Sequence, residues 1–269
     1  MIRLAVAGAM GRMGRCVIDL ASRDPRFEVA AAIDLGTPQT LPECAVLIDF
    51  TNAGGSMQWL PMCQARRIPM VIGATGHDDQ QLTRITQAAG AIPIVKAANF
   101  SLGIQVLLNL VGKIATELGD EYDVEIVETH HRHKIDAPSG TALTIVEHIN
   151  RAFGAPRSED LGRPSEQNRD RKGAGEHVAS PLVGGATVAF GRHGKVGERP
   201  KGQIGVHSIR MGVVVGQHEI HFSGPGETVT IRHTAHSRET FAAGALRAAA
   251  WIIGKPPGLY SMRNVLGAQ

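Results

Sequence analysis

The first hundred residues alternate between short apolar runs and longer stretches in which apolar residues recur at helical spacing. The apolar runs predict strands at Ile2 to Ala7, Glu28 to Ile33, Ala45 to Phe50, Pro69 to Ile72 and Ile92 to Val95. Between them the spacing predicts helices after Gly14, around Ser56 to Arg67 and from Asp79 to Ala89. Strands that alternate with helices are typical of an α/β fold built on a parallel sheet.

The pattern changes after Ser101. Leu102 to Leu118 carries a wide apolar stripe, which predicts a long helix leading into a second domain. Strand-like patterns then occur at Asp123 to Glu128, Ile204 to Met211, Val213 to Phe222 and Glu227 to His233. They predict an α+β domain with a mostly antiparallel sheet. The polar, glycine-rich stretch from Arg157 to Gly205 favours loops, with a mobile lid among them.

A glycine-rich loop, Gly8-Ala9-Met10-Gly11-Arg12-Met13-Gly14, follows the first predicted strand and precedes a helix. That context is typical of a dinucleotide-binding loop, whose glycines permit a tight turn and let a pyrophosphate approach the helix N-terminus. Met10 occupies the usual place of the second glycine, and a turn that binds no ligand is the alternative.

An acidic residue ends the second predicted strand. Asp34 stands 20 residues beyond Gly14, where a carboxylate can accept hydrogen bonds from an adenosine ribose. Leu35 offers no cation for a 2′-phosphate, so the pattern favours NADH, with NADPH as the alternative. An acid that only closes a turn would also fit this position.

The segment Glu125 to Ala142, EIVETHHRHKIDAPSGTA, combines a strand, a cationic loop and the start of a helix. Ser139 or Thr141 can cap that helix, whose first N–H groups then face outward. Cations and a helix N-terminus beside a strand end predict a pocket for a carboxylate, with an imidazole as proton donor. A solvated basic loop with one capping histidine is the alternative.

Composition narrows the classes of function. The net charge of +3 comes from 28 basic and 25 acidic residues, which is too mild to indicate nucleic acid. Three cysteines without CxxC spacing favour reduced thiols, and the predicted strand at the N-terminus leaves no export signal. No apolar run approaches the roughly 20 residues that span a bilayer. We therefore expect a cytoplasmic protein without membrane partners.

Histidines raise the question of a metal site. His218 and His221 differ by three positions along a strand, which places them on opposite faces. The histidines that follow Thr129 lack helical i, i+4 spacing and stand beside Lys134, which would repel a cation. We expect no metal site, and histidines on the sheet surface; a zinc hydrolase is disfavoured.

Nearly the whole chain resembles the dihydrodipicolinate reductase family of the diaminopimelate and lysine pathway. The resemblance rests on the glycine loop, IDFT at Ile48 to Thr51, VIGATG at Val71 to Gly76, AANFS at Ala97 to Ser101, ETHHRHKIDAPSGTA at Glu128 to Ala142, and the stretches Gly197 to Phe222 and His236 to Ala245. The histidine-lysine motif followed by DAPSGTA is the specific part, whereas the glycine loop alone is not.

The resemblance implies roles for individual residues. His130 would be the general acid or proton-relay histidine, and Lys134 would be the cationic donor at the reacting centre. From the residues alone, either His130 or Lys134 can supply the proton. Substrate carboxylates would be held by His131, Ser139, Gly140 and Thr141. The cofactor-binding residues that it implies are Gly8, Ala9, Met10, Gly11, Arg12, Met13, Asp34, Gly73, Ala74, Thr75, Ala98, Asn99 and Phe100.

The same resemblance implies the domain organisation and the assembly. Residues 1–101 and 238–269 would form a Rossmann dinucleotide-binding domain, and residues 102–237 a substrate-binding and tetramerisation domain of a homotetramer. Its substrate would be a small dicarboxylate. Two other functions stay open: another Rossmann-type NAD(P) dehydrogenase for an amino or keto acid, and a non-catalytic module that senses NAD(H).

Overall fold

The computed structural model describes residues 1–34, 40–154, 179–181 and 187–267. Leu35 and most of the polar stretch from Arg157 to Arg192 lie outside the described residues. The chain divides into two compact units. Unit 1 comprises Met1–Gln105 and Ser237–Gln269, and unit 2 comprises Val106–His236.

The helices and strands occur in the following order along the chain. They are β1 (Ile2–Ala7), α1 (Arg12–Ser22), β2 (Phe27–Ile33), β3 (Val46–Asp49), α2 (Ala53–Arg66), β4 (Met70–Ile72), α3 (Asp79–Ala89), β5 (Pro93–Lys96), α4 (Leu102–Leu118), β6 (Asp123–His130), α5 (Gly140–Ala152), β7 (Ala179–Pro181), β8 (Thr187–Phe190), β9 (Ile204–Arg210), β10 (Gly216–Ser223), β11 (Thr228–Ala235), α6 (Glu239–Ile252), β12 (Gly258–Tyr260) and α7 (Met262–Val265).

Unit 1 is built on a parallel sheet with the strand order β2-β1-β3-β4-β5-β12. The chain adds β2 on one side of β1 and then β3 on the other, so the direction of strand addition reverses between β1 and β3. In such open sheets, ligands bind outside the carboxyl ends of the strands at this point of reversal. The predicted α/β class is confirmed, and the glycine loop lies at the end of β1.

Both faces of this sheet are covered by helices. Leu4 and Val6 of β1 pack in a cluster with residues of α1 and α6, whereas Ala5 and Ala7 pack in a second cluster with residues of α2 and α3. Alternate residues of a strand point to opposite faces, so a strand covered on both sides is apolar throughout. This burial on both faces explains why the strands of unit 1 appear as continuous apolar runs.

The C-terminal helix α6 completes unit 1 through a close contact. A Cβ added to Gly244 would lie only 1.9 Å from the carbonyl oxygen of Phe100, so glycine is what allows this approach. The short strand β12 then pairs with β5 and extends the sheet. The C-terminal segment is therefore part of the same core as the first hundred residues.

Unit 2 contains a mixed sheet with the order β11-β10-β6-β9-β8-β7. The pairs β10–β11, β10–β6 and β7–β8 are antiparallel, while β6–β9 and β8–β9 are parallel. The predicted mostly antiparallel sheet is confirmed. The prediction of loops from Arg157 to Gly205 is wrong for β7 and β8, because Val188 is buried and β8 pairs with β9.

Helix α4 has the predicted bounds, and a short 3-10 turn continues it to Glu121. Within the described ranges, Leu102–Glu121 is the one stretch whose length and composition would let a helix cross a membrane, with a mean hydropathy of 1.2. The apolar runs alone predict no such stretch, because single polar residues such as Gln105 and Asn109 interrupt them. A core helix can meet the same test of length and composition.

Candidate active site

The glycine loop of unit 1 joins β1 to α1 in a conformation that requires small residues. Gly8 has a φ of +79°, which glycine adopts without strain. A Cβ on Gly14 would lie 2.1 Å from the carbonyl oxygen of Gly8, so the first turn of α1 folds tightly against the loop. Gly11 precedes the helix and has no side chain to cap it. The first N–H groups of α1 can therefore bind an anion such as a pyrophosphate.

Asp34 lies beside this loop, as its predicted role requires. Its Oδ2 accepts a hydrogen bond from the backbone N–H of Met10 at 2.5 Å. The contact brings together two of the predicted cofactor residues, from the ends of β1 and β2. A carboxylate in this position can accept hydrogen bonds from ribose hydroxyls.

The two other predicted cofactor segments follow β4 and β5. A Cβ on Gly73 would lie 2.3 Å from the ring of Phe50, and that ring meets Phe100 edge-to-face with centroids 5.8 Å apart. Ala74 and Phe100 are buried, whereas Thr75 and Ala98 are exposed. The side chains of Ala74 and Phe100 therefore support the turns from inside, and any contact they make with a ligand would use the backbone.

Asp49 fixes the turn after β3, and the sequence pattern predicts no role for this residue. Its buried carboxylate accepts hydrogen bonds from the N–H of Thr51 at 2.9 Å and from the hydroxyl of Ser56 at 2.5 Å. Burial raises the pKa of Asp49, and the hydrogen bonds from Ser56 and Thr51 oppose that rise. The IDFT motif thus carries a structural acid that shapes the turn at the carboxyl end of β3.

In unit 2, strand register assembles the candidate catalytic residues. The strand β6 lies between β9 and β10, and it extends two residues beyond its predicted end, to His130. Glu128 pairs with His218 of β10, and His130 pairs with Arg210 of β9. Neighbouring strands therefore bring residues from three distant parts of the sequence to one place.

Glu128 lies at the centre of a cluster that includes His130, Arg210 and Ser139, and its side chain is 0% exposed. Its Oε2 lies 2.5 Å from Nδ1 of His130, and both carboxylate oxygens accept hydrogen bonds from the guanidinium of Arg210, at 2.9 and 2.7 Å. The backbone N–H of Ser139 donates to Oε1 at 3.2 Å. Burial alone would raise the pKa of Glu128, but hydrogen bonds from His130, Arg210 and Ser208 outweigh it and hold the pKa well below its ordinary value.

Ser139 caps α5 and connects the cluster to a second histidine. Its Oγ accepts a hydrogen bond from the N–H of Ala142 at 3.2 Å and lies 3.0 Å from Nε2 of His218. His218 is only 3% exposed, so its predicted place on the sheet surface is wrong, because the Ser139 turn covers this face of β10. Burial, with a further contribution from His130, lowers the pKa of His218 to about 3, so this imidazole is neutral.

Lys134 lies in the loop between β6 and α5, where its Nζ pairs with the carboxylate of Asp136 at 2.6 and 2.8 Å. The carbonyl oxygen of Asp136 accepts a hydrogen bond from Arg210 at 2.6 Å. Arg210 thereby connects the Lys134 loop to Glu128. The ring of His131 lies near that of His133, with centroids 6.3 Å apart, and Gly140 and Thr141 form the first turn of α5.

Three residues of the cluster were not predicted from the sequence: Glu128, Arg210 and His218. For Glu128 and His218, the sequence pattern does contain a sign of burial. Glu128 shares a face of β6 with the buried residues Val124 and Ile126, and His218 shares a face of β10 with Ile220 and Phe222. A polar residue on the otherwise apolar face of a strand needs a hydrogen-bond partner when that face is buried. Arg210 has no such signal, because its role depends on the pairing of β9 with β6.

The described residues contain no group of three or more His, Cys, Asp or Glu side chains that could hold a metal ion. The histidines of the cluster instead bond to Glu128 and Ser139. The arrangement as described offers a proton donor, a cation and a helix N-terminus, which suit acid catalysis on an anionic substrate.

Comparison with known proteins gives matches along nearly the whole chain. The family models for the N-terminus and the C-terminus of dihydrodipicolinate reductase match residues 2–100 and 103–266. This chain is 40% identical to the 4-hydroxy-tetrahydrodipicolinate reductase of Akkermansia muciniphila and 38% identical to that of Anaeromyxobacter dehalogenans. Each match covers 99% of this chain and 98% of the relative.

Solved structures show the same fold. A dipicolinate-bound dihydrodipicolinate reductase from Paenisporosarcina sp. TG-14 matches with a TM-score of 0.66 at 24% identity, over 97% of both chains. A myo-inositol dehydrogenase from Corynebacterium glutamicum matches with a TM-score of 0.53 at 14% identity, over 96% of this chain and 90% of that one. The fold is therefore shared with dehydrogenases that act on other substrates.

Proposed function

The chain belongs to the dihydrodipicolinate reductase family, and we propose that it reduces 4-hydroxy-tetrahydrodipicolinate to tetrahydrodipicolinate with NAD(P)H in the pathway to diaminopimelate and lysine. One hydride and one proton enter the substrate, and one water leaves it. The observation that carries this proposal is the cluster of His130, Glu128 and Ser139, which holds an imidazole beside the N-terminus of α5. That pairing suits protonation of a substrate anchored by a carboxylate.

The residues of unit 2 can serve a cyclic dicarboxylate in two ways. The first turn of α5, at Gly140 and Thr141, offers backbone donors and the positive end of a helix to one carboxylate. Lys134, a cationic donor, and His131 are the further groups proposed for the same substrate. Loss of water, in which the C–O bond of the 4-hydroxyl group breaks, gives a ring whose carbon–carbon double bond is conjugated with the imine. Negative charge builds up in that ring as the hydride arrives, and a proton from His130 removes it.

The dinucleotide belongs to unit 1 in this proposal. The nicotinamide supplies the hydride when it is bound. The tight Gly8–Gly14 turn and the uncapped start of α1 fit the pyrophosphate, and the carboxylate of Asp34 beside Met10 fits the adenosine ribose. The same carboxylate would repel a 2′-phosphate, so we propose that NADH is preferred and NADPH is the alternative.

Replacing Asp34 by asparagine tests that preference. The variant keeps the size of the side chain but loses the charge, and charge-assisted hydrogen bonds are worth about 1.5–3 kcal/mol. We expect the Kd for NADH to rise roughly 10-fold or more, while the Kd for NADPH changes less because a repulsion is also lost. Fluorescence titration of each cofactor measures both constants.

Asp19→Asn is the matched control for this change, because Asp19 lies on the exposed side of α1 and forms a surface ion pair with Arg23. Its Kd values should equal those of the wild type. Equal weakening of NADH and NADPH in Asp34→Asn, or no change in either, would remove the ribose assignment.

We further propose a homotetramer that works in the cytoplasm. The strand β11 ends the sheet of unit 2 with one edge that no other described strand covers, and uncovered edges tend to pair or to be protected. Light scattering in solution decides the assembly, since four chains of 28.6 kDa differ clearly from two.

The decisive test of the reaction is oxidation of NADH and NADPH by the purified protein. The unstable substrate is made freshly from pyruvate and aspartate semialdehyde by an aldolase-type synthase in the same mixture. Substrate-dependent oxidation would support the proposed reduction. If a control reductase works in this mixture and the protein binds NADH without oxidising it, then another substrate or a sensing role is the better explanation.

A further inference from the structure

A buried carboxylate with several donors around it stands next to the proposed proton donor. Glu128 accepts from His130, from the fork of Arg210 and from the backbone of Ser139. We propose that Glu128 is a positioning residue: it holds the hydrogen of His130 on Nδ1 and leaves Nε2 as the atom that delivers the proton. This inference rests on the proposed function, because it assigns the delivering atom in that reaction.

The chemistry of the two partners determines which atom donates. An ionised carboxylate can only accept hydrogen bonds, so Nδ1 of His130 must carry a hydrogen in the 2.5 Å contact. Arg210 forms a bidentate pair with both carboxylate oxygens of Glu128, which fixes the plane of this carboxylate and favours its ionised form. His130 can therefore change its charge only at Nε2 while this contact lasts.

The surroundings of Nε2 are consistent with such a role. A Cβ placed on Gly216 would lie 3.1 Å from Nε2 of His130. Gly216 is not among the glycines with positive φ, so its backbone does not require glycine. What glycine provides there is space beside Nε2, and the side chain of His130 retains 12% of its exposure.

The charged and titratable groups around His130 come from three strands: Glu128 on β6, Arg210 on β9 and His218 on β10, whose ring centroid lies 5.3 Å from that of His130. In the loop that follows β6, Lys134 and Asp136 form an ion pair. His218 is neutral, and Arg210 and Lys134 are each paired with a carboxylate, so Glu128 is the charge in direct contact with the ring. That contact fixes the orientation of the ring and determines that Nδ1 carries the permanent hydrogen.

The proton transfer from His130 to the substrate breaks one bond and forms one bond. The N–H bond at Nε2 breaks, its electron pair stays on the nitrogen, and the proton forms a C–H bond with the electron pair that the hydride addition leaves on the substrate. His130 becomes a neutral imidazole that still donates from Nδ1 to Glu128. Solvent returns a proton to Nε2 before the next turnover.

Glu128→Gln tests this role because it preserves shape and removes charge. We expect kcat to fall roughly 10- to 100-fold, by analogy with the loss on removing the partner that orients a metal-binding histidine. KM should change less than kcat, because Glu128 is buried and is not among the residues proposed to bind the substrate. A purely structural role would lower substrate affinity as well as kcat.

Glu125→Gln is the matched control on the same strand. Glu125 also pairs with arginines and a histidine, namely Arg192, Arg199 and His207, but not with His130. It should leave kcat close to that of the wild type. Equal losses of kcat in the two variants, or no loss in either, would overturn the proposal.

Gly216→Ala probes the other side of the ring without touching Glu128. Its methyl group should crowd Nε2 and lower kcat, whereas Gly226→Ala meets no atom within 4 Å and should match the wild type. Normal kcat in Gly216→Ala would show that nothing approaches Nε2 from that side, and would also overturn the proposal.

Nitrogen NMR of the wild-type protein gives a readout that needs neither a variant nor turnover. Two-bond ¹H–¹⁵N spectra of labelled imidazoles, assigned with His130→Ala, should show a permanent hydrogen on Nδ1 and titration at Nε2. A bare Nδ1 in the neutral ring would refute the inference even if the enzyme is active. A wild-type protein that shows the expected ring but never reduces the substrate would instead count against the proposed function.

Discussion

Replacing His130 by alanine should lower kcat by about 10²- to 10⁴-fold, which is the usual contribution of a positioned general acid. The Kd for NADH should stay within about twofold of the wild type, because His130 of unit 2 is not among the residues proposed to bind the dinucleotide, all of which belong to unit 1. Steady-state kinetics and cofactor titration on the same preparation measure the two effects.

The structural side effect of this change needs its own check. Glu128 is fully buried and would lose one of its donors, and a buried acceptor left short of a partner costs about 1–3 kcal/mol. Arg210 and the N–H of Ser139 still satisfy the carboxylate, so we expect a folded protein with a lower melting temperature. Circular dichroism before and after the assay would show whether a loss of kcat reflects unfolding.

His133→Ala is the matched control for His130→Ala. His133 lies in the same loop and is exposed, and its ring is near that of His131 instead of Glu128. It should retain nearly full kcat. If both variants lose the same activity, or if His130→Ala loses NADH affinity and turnover in equal measure, then His130 is not the proton donor.

The site residues that the sequence predicts in unit 2 are close to one another along the chain. His130, Lys134 and Ser139 belong to one strand–loop–helix segment, so local patterns are enough to single them out. Glu128 belongs to the same segment, but acidic residues are common at strand ends, and this position alone does not indicate that the side chain is buried. The alternation of Val124, Ile126 and Glu128 contains that information.

Contacts that depend on register were beyond the reach of the sequence. Arg210 meets Glu128 because β9 runs parallel to β6 with His130 opposite Arg210. His218 meets Ser139 because β10 pairs with β6 on the other side. A shift of one residue in either pairing would turn these side chains to the opposite face. No local pattern in the sequence determines such a register.

In unit 1 the fold was predictable because its strands are buried on both faces. Continuous apolar runs marked β1, β3, β4 and β5, and the glycine loop marked the turn after β1. The strand β12 was missed, since three residues, Gly258–Tyr260, are too few to give a periodic signal. Its pairing with β5 depends on the helix α6, which returns the chain to this sheet.

Replacing Lys134 by alanine should lower kcat/KM by roughly 10- to 150-fold, with losses in both kcat and substrate affinity. A hydrogen bond to a charged group is worth about 1.5–3 kcal/mol, which corresponds to that range. The loss should divide between kcat and KM because an ammonium near the reacting centre attracts the anionic substrate and also the charge that develops during reduction. Initial-rate kinetics over a range of substrate concentrations separates the two parameters.

Two further variants separate the charge of Lys134 from its ion pair. Lys201→Ala removes an exposed lysine that pairs with Asp120, and it should change neither parameter. Asp136→Asn breaks the ion pair in which Lys134 lies but keeps the ammonium, so its loss should be smaller than that of Lys134→Ala. If instead Asp136→Asn is as damaging as Lys134→Ala, then the pair acts by shaping the loop, which Arg210 also holds through the carbonyl of Asp136. An unchanged rate in Lys134→Ala would exclude this ammonium from the site altogether.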